Sequence, residues 1–509
     1  MSRNETKIFG YDVLFPVGKR PFPPQLAVIA KVLKALRDKE NALLESPTGT
    51  GKTLALLAST LAWQQEFILL CKNATESSHT SSTGSALNCS TDIIESPTMK
   101  DNEAETSCTS SSANSNENES QQSPRSKLPT VPKIFFCSRT HSQLQQVVKE
   151  LRSCHIDYIS DIKMTILGSR SHYCINESAK ASNSALNKTS VDENCRKLAI
   201  TRSCRFSHSL VPLINTLSKN AVWDIEDAVQ NGLKHKSCPY FSSREMISTA
   251  NYIFAPYNYI IDQSIRSAMK INLKDAVVIF DEAHNIEDIC RDAASAEISR
   301  IFMVNTVEQL TALAKTGAAA FTALLDFMSR LLKWVDNMTD TLSVEETYNS
   351  SSNSSSNKRS DNFMKDSNVW DGDEAVSIFQ RDMGLSASML DVCKQHLRDL
   401  VEQQEDIGMV VQRIQNGAEE VGEDDGSEEH AGRPQLDLTL SNSSLMVLKS
   451  LLGAFDYLYR NDCVHAPDYK VVITKSVNWT ARNASVSNKR PQIDIIFNIW
   501  CLDASIVFR

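Results

Sequence analysis

The stretch Ser46-Pro47-Thr48-Gly49-Thr50-Gly51-Lys52-Thr53 carries the residue types that hold a nucleoside triphosphate. Converging backbone N–H groups need a turn that small residues permit. The β- and γ-phosphate oxygens need an ammonium, and a divalent cation needs a hydroxyl. Here Gly49 and Gly51 permit the turn, Thr48 and Thr50 flank them, Lys52 is the cation and Thr53 the hydroxyl. The pattern departs from G-x-x-x-x-G-K-[ST] at its first position, where Ser46 stands. Serine is small enough to leave the corner intact. A second constellation, "VVIFDEAHN", puts Asp281 and Glu282 at the end of an apolar run. One carboxylate there can hold Mg²⁺ and its neighbour can orient or deprotonate an attacking water. A solvated pair at a strand end is the plain alternative, and Lys52 elsewhere in the chain argues against it.

These groups need a scaffold that brings them to one edge. Asn41–Glu45 reads as a short strand feeding the loop, with a helix from Thr53. Ile134–Cys137 reads as a second strand followed by a helix from about Gln143, and Ala276–Phe280 as a third. Short, fully apolar runs alternating with helices indicate a parallel sheet covered on both faces, with ligands at the carboxyl ends of its strands. The chain between Lys52 and Asp281 is too long for consecutive strand–helix units, so it holds an insertion. By contrast 301–332 and 385–414 have helical spacing and form a separate helical module.

The 509 residues suffice for roughly three or four domains. With 53 Lys plus Arg against 62 Asp plus Glu the chain is mildly acidic, so any nucleic acid must enter a local channel. No signal peptide is legible. The apolar stretch 54–70 is broken by Gln64, Gln65 and Glu66 and reads as a buried helix, so no membrane is expected. In cytosol or nucleus the 13 cysteines stay reduced. Segments 73–130 and 349–368, rich in Ser, Thr and Asn, and the acidic 417–432 lack the apolar residues a core needs and are expected to be disordered.

At "DEAH", Asp281 to His284, the chain resembles superfamily 2 DNA helicases of the xeroderma pigmentosum group D type, the iron–sulfur helicases, on the Fanconi anaemia group J branch. The stretches "LLESPTGTGKTLALLASTLAWQQ", "SRTHSQL", "MTILGSRSHYC", "CPYFSSRE", "YIFAPYNYIID", "DEAHNIED" and "IWCLDASIVF" carry it in order. The resemblance implies an α/β fold: a RecA-like P-loop motor domain with an inserted iron–sulfur domain and an inserted helical arch. The motor domain would cover 1–165, 250–300 and 465–509, with the cluster domain over 166–249 and the arch over 301–464. It implies ATP and Mg²⁺ as ligands, 5′-to-3′ unwinding of forked DNA from a single strand, a monomer, a nuclear location and DNA-repair proteins as partners. Gln25 would read adenine, Ser46 to Thr53 the phosphates, Asp281 the Mg²⁺, and Glu282 would be the base. His284 would couple nucleotide state to a second motor domain, and Arg139, Thr140, His141 and Arg170 would contact DNA.

Between "SRTH" and "DEAH" lie Cys174, Cys195, Cys204 and Cys238, with 20, 8 and 33 residues between them. No C-x-x-C pair is present, so a zinc ribbon fits poorly. Spacing alone leaves isolated buried cysteines open. The resemblance makes these four the ligands of a [4Fe–4S] cluster, with Cys154 as the nearest spare thiol and Cys137 and Cys290 as core residues. In the family the segment ending here precedes the second motor domain, so an N-terminal portion is expected. A motor-inactive fragment that binds DNA or a partner is one competing reading. An RNA-directed DEAH ATPase is another, disfavoured by the cysteine insert.

Overall fold

A computed structural model describes residues 5–16, 18–47, 49–80, 130–154, 159–180, 190–201, 203–342, 363–401, 440–478 and 492–508. After a small hairpin, β1 (Glu5–Ile8) and β2 (Tyr11–Leu14), come helices α1 (Pro23–Asp38) and α2 (Lys52–Thr80). The central sheet is built from β3 (Ile134–Ser138), β4 (Met164–Ile166), β5 (Tyr252–Pro256) and β6 (Val277–Phe280), in the order β4-β5-β3-β6, all pairs parallel. Side chains on a strand alternate between faces. Ile134 and Phe136 of β3 therefore pack into a core shared with α1, α2 and α3 (His141–Arg152), while Phe135 and Cys137 pack into one formed by residues 247–290. The parallel sheet covered on both faces, expected from the apolar runs, is present.

The expected strand at Asn41–Glu45 does not form. Residues 41–47 have no ladder partner, and Leu43 is 97% exposed. Among the described residues no strand pairs the free edge of β6, and an extended run with no neighbour gives its backbone groups to water. Helix α2 runs to Thr80, so the first residues of the segment read as disordered from Asn73 are helical, and 81–129 lie outside the described residues. Over Lys52–Asn73 this helix is long and apolar enough to cross a membrane by length and composition (22 residues, mean hydropathy 1.4), against the reading of the stretch as too broken. Ala55, Leu57, Ala58 and Leu61 are buried against α1 and the sheet, as a core helix requires.

Between β4 and β5 the chain makes a run of short helices, over 170–245, that carries the four cysteines. After β6 a second body begins. Helices Arg300–Ala314, Ala319–Thr339, Gly372–Met383, 387–401 and Asn442–Cys463 share a core with a four-stranded antiparallel sheet, in the order β7-β10-β9-β8. Its strands are β7 (Ala296–Ser299), β8 (Phe363–Asp371), β9 (Tyr469–Asn478) and β10 (Gln492–Cys501). The helical character expected for 301–464 is present in its described residues, but two expectations change. Residues 363–368, read as disordered, form β8, which gains nine paired positions along β9. Tyr469–Asn478 and Gln492–Cys501 join this antiparallel sheet instead of the parallel one. Val471, Ile473, Phe497 and Ile499 are fully buried against Trp334 and Phe379. The acidic 417–432 lies outside the described residues.

Candidate nucleotide site and cysteine cluster

The phosphate loop turns on two residues with left-handed backbones, Gly49 (φ 78°) and Gly51 (φ 73°), which glycine adopts without steric cost. Thr48 lies outside the described residues. Ser46 is not a passive stand-in for glycine: its hydroxyl bonds that of Thr50 at 2.8 Å, and Thr50 donates to the Pro47 carbonyl at 2.9 Å. Helix α2 opens at Lys52 directly behind the loop, so its N-terminal N–H groups and dipole face the same place.

The two constellations separated in sequence meet here. Lys52 Nζ stands 3.3 Å from Glu282 Oε1 and donates to the Ser46 carbonyl at 3.0 Å. Thr53 Oγ1 donates to Asp281 Oδ2 at 3.4 Å. The parallel pairing of β6 with β3 aligns this edge, and the Asp281 N–H bonds the Cys137 carbonyl at 2.9 Å. Asp281 is 8% exposed; burial, then the charge of Glu282, raise its pKa above the usual carboxylate value, against Thr53 and Lys52, which lower it. Glu282 has a left-handed backbone at φ 58° and ψ 44°, sparsely populated for a residue with a Cβ. His284 Nδ1 lies 3.5 Å from Glu282 Oε2.

Residues 136–303 match the family model described as DEAD_2. Regulator of telomere elongation helicase 1 of Mus musculus is 40% identical over 301 residues, 57% of this chain and 22% of that protein. The Fanconi anemia group J protein homolog of Gallus gallus is 26% identical over 645 residues, 98% of this chain and 48% of that protein. The chain thus spans about half or less of the curated relatives it matches. A solved structure titled XPD_Helicase aligns with 97% of the chain and 56% of its own at 16% identity, with a TM-score of 0.40. The resemblance read from the motifs is borne out by the family and relatives.

The DEAD_2 segment contains Asp281 and Glu282, whereas the phosphate loop lies outside the matched residues. Three residues assigned from the resemblance sit differently from expectation. Gln25, expected to offer its amide to adenine, is 5% exposed; it accepts from the Phe22 N–H at 2.9 Å and donates to the Gly51 carbonyl at 3.2 Å. It braces the phosphate loop, so tightly that a Cβ on Gly51 would meet Gln25 Nε2 at 2.3 Å. Arg170, expected to touch DNA, is 9% exposed. Its guanidinium bonds Asp192 at 3.0 Å and lies 4.5 Å over the Tyr240 ring, which ties together three parts of the cysteine-bearing insertion. His141 is half-buried with its ring centroid 4.1 Å from that of His172; burial, then His172, lower its pKa to about 4, so it meets a ligand as a neutral ring. Arg139 and Thr140 are exposed between β3 and α3, where Thr140 caps the helix through Gln143. Beside them, Thr140, His141, Gln145, His172 and Glu226 line a cavity of about 590 Å³.

The four cysteines of the insertion interact electrostatically, each with at least one other. Burial raises Cys174, Cys195 (to about 11) and Cys238 (to about 12), and the other thiols add to it: Cys204 acts on Cys174, Cys174 and Cys204 act on Cys195, and Cys195 and Cys204 act on Cys238. Among the described residues no three or more His, Cys, Asp or Glu side chains are grouped to hold one metal ion. Asn176 Nδ2 donates to Cys204 Sγ at 3.3 Å, and the Arg170 charge partly offsets the burial that raises Cys195. Cys154 is buried beside Glu150 on α3, and Cys137 and Cys290 are core residues, as expected. Asn176, Asp192 and the bracing role of Gln25 were not foreseen from the sequence. The first two belong to no motif, and their partners are distant in sequence.

Proposed function

We propose that this chain is the ATP-binding portion of a DNA helicase that couples ATP hydrolysis to movement along single-stranded DNA and opens forked duplexes, acting in DNA repair in the nucleus. The observation that carries this reading is the meeting of Lys52 and Thr53 with Asp281 and Glu282 at one sheet edge. Lys52 would bind the phosphates, Thr53 and Asp281 would hold Mg²⁺, and Glu282 would orient and deprotonate the attacking water. In the structure Glu282 pairs with Lys52, so ATP must displace that carboxylate from the lysine, which frees it to face water at the γ-phosphate. Arg139 and Thr140, exposed on the adjoining loop, would take the backbone of the strand. The 5′-to-3′ polarity rests on the motif resemblance. The decisive experiment measures ATP–Mg²⁺ binding and strand-stimulated hydrolysis for the wild type, Lys52→Ala and Glu282→Gln, with DNA and RNA in parallel. Absence of nucleotide binding in the folded wild type refutes the reading.

We further propose that Cys174, Cys195, Cys204 and Cys238 hold a [4Fe–4S] cluster. What supports this, beside the motif resemblance, is that Cys195 and Cys204 each interact electrostatically with the other three thiols, and a cubane takes one thiolate per iron. When bound, the cluster would supply a rigid cross-link to the helical insertion, whose buried residues share one core with α1, α2, α3 and the sheet.

A further inference from the structure

We propose that Tyr257 is a positioning residue that couples the strand-contact loop 138–141 to the carboxylate turn 281–284; this rests on the nucleotide-site reading above. Strands β5 and β6 flank β3, so their carboxyl ends are two strand spacings apart, on the order of 10 Å. Tyr257 follows β5 and crosses that gap. Its backbone N–H donates to the Ser138 carbonyl at 3.1 Å, in the residue directly before Arg139. Its hydroxyl donates to the Asp281 carbonyl, directly before Glu282. Its ring meets Phe280 edge-on, with centroids 5.5 Å apart, and the residue is 1% exposed. A phenol hydroxyl carries its proton at neutral pH and so acts as the donor here.

The turn it holds is the strained one. Glu282 stays left-handed because the surroundings fix it: the Asp281 N–H is bonded to Cys137, the Asp281 carbonyl to Tyr257, and the Glu282 carboxylate to Lys52 and His284. When ATP takes Lys52 from Glu282, the turn loses one of those restraints, and the Tyr257 ring is the rigid path by which its shift reaches Ser138. Ser138 in turn bonds Gln143, whose side chain also holds the Thr140 N–H, so the loop moves with it. Phosphate occupancy at one site is thereby read at the loop that faces the strand.

The test is Tyr257→Phe, which removes the hydroxyl alone. Amide hydrogen exchange is followed over 46–53 and 138–142, with and without a non-hydrolysable ATP analogue and Mg²⁺. In the wild type, nucleotide is expected to change exchange at both segments. In the variant the change at 46–53 should persist, while the change at 138–142 should shrink by about tenfold, the worth of one hydrogen bond to a buried carbonyl. Analogue affinity measured with and without oligo-dT should differ by roughly fivefold or more in the wild type and converge in the variant. An equal response at 138–142 in both proteins, or none in the wild type at saturating analogue, overturns the proposal. Absence of any response at 46–53 sinks the nucleotide-site reading instead. A loss of analogue affinity in the variant in step with a lowered melting temperature would assign Tyr257 to folding alone and also overturn it.

Discussion

Lys52→Ala has two effects of opposite sign on nucleotide binding. The ammonium makes a charge-assisted hydrogen bond to phosphate, a contact worth about 1.5–3 kcal/mol. Before ATP arrives the same ammonium is 3.3 Å from Glu282, with the two side chains 25% and 39% exposed, a pair worth about 0–1 kcal/mol that binding must break. The variant never makes the first contact and never breaks the second, so the net loss is about 0.5–3 kcal/mol, a factor of roughly 2–150 in affinity. Removing Lys52 also takes away a charge that lowers the Asp281 pKa, which therefore rises further. Titration with a fluorescent ATP analogue at fixed Mg²⁺ reads this directly, with circular dichroism to establish that the variant is folded. The pairing also sets the behaviour of Glu282→Gln, which removes the competitor for Lys52. That variant should bind ATP up to about fivefold more tightly while losing hydrolysis. Unchanged affinity in folded Lys52→Ala, or weaker binding in Glu282→Gln, would refute the assignment.

Protein purified without oxygen should be brown and contain about four irons per chain, and Ser at any of Cys174, Cys195, Cys204 or Cys238 should bleach it where Cys137→Ser and Cys290→Ser do not; a colourless wild type with one zinc refutes it. Arg170→Met should lower the melting temperature and iron retention, because it leaves Asp192 without its partner and uncovers Tyr240; weakened DNA binding at unchanged stability would return Arg170 to the strand interface. His141 is held neutral, its pKa lowered from 6.5 to about 4, so the unfolded chain binds more protons in that window and unfolding free energy should fall as pH drops from 6.5 to 4. His141→Gln should flatten that part of the slope in urea titrations, and an unaltered slope counts against the burial of this ring.

The parts of the site that were legible in the sequence are those where backbone and chemistry act locally. Gly49 and Gly51 announce a turn, Lys52 and Thr53 announce what it holds, and the apolar runs before Ser138 and Asp281 announce strands whose ends share an edge. What was not legible depends on partners distant along the chain. Arg170 has the chemistry of a phosphate contact until Asp192 and Tyr240 are seen around it, and Gln25 has that of a base reader until Phe22 and Gly51 occupy its amide. The strand expected at 41–45 has the right apolar character, but a strand exists only with a neighbour. Conversely, 363–368 looked too polar for order and became part of a strand because β9 supplies its ladder.

Ser46, the residue that breaks the usual loop pattern, ties position 46 to position 50, and this gives the loop a preferred order of evolutionary change. If Ser46 becomes glycine first, Thr50 keeps the Pro47 carbonyl and little is lost. If Thr50 changes first to an apolar residue, the Ser46 hydroxyl loses its bond inside the loop. Lineages moving between the serine and glycine forms should therefore alter position 46 before position 50. Position 51 is held to glycine by its own left-handed backbone, φ 73°, which a side chain would strain whatever stands at position 25.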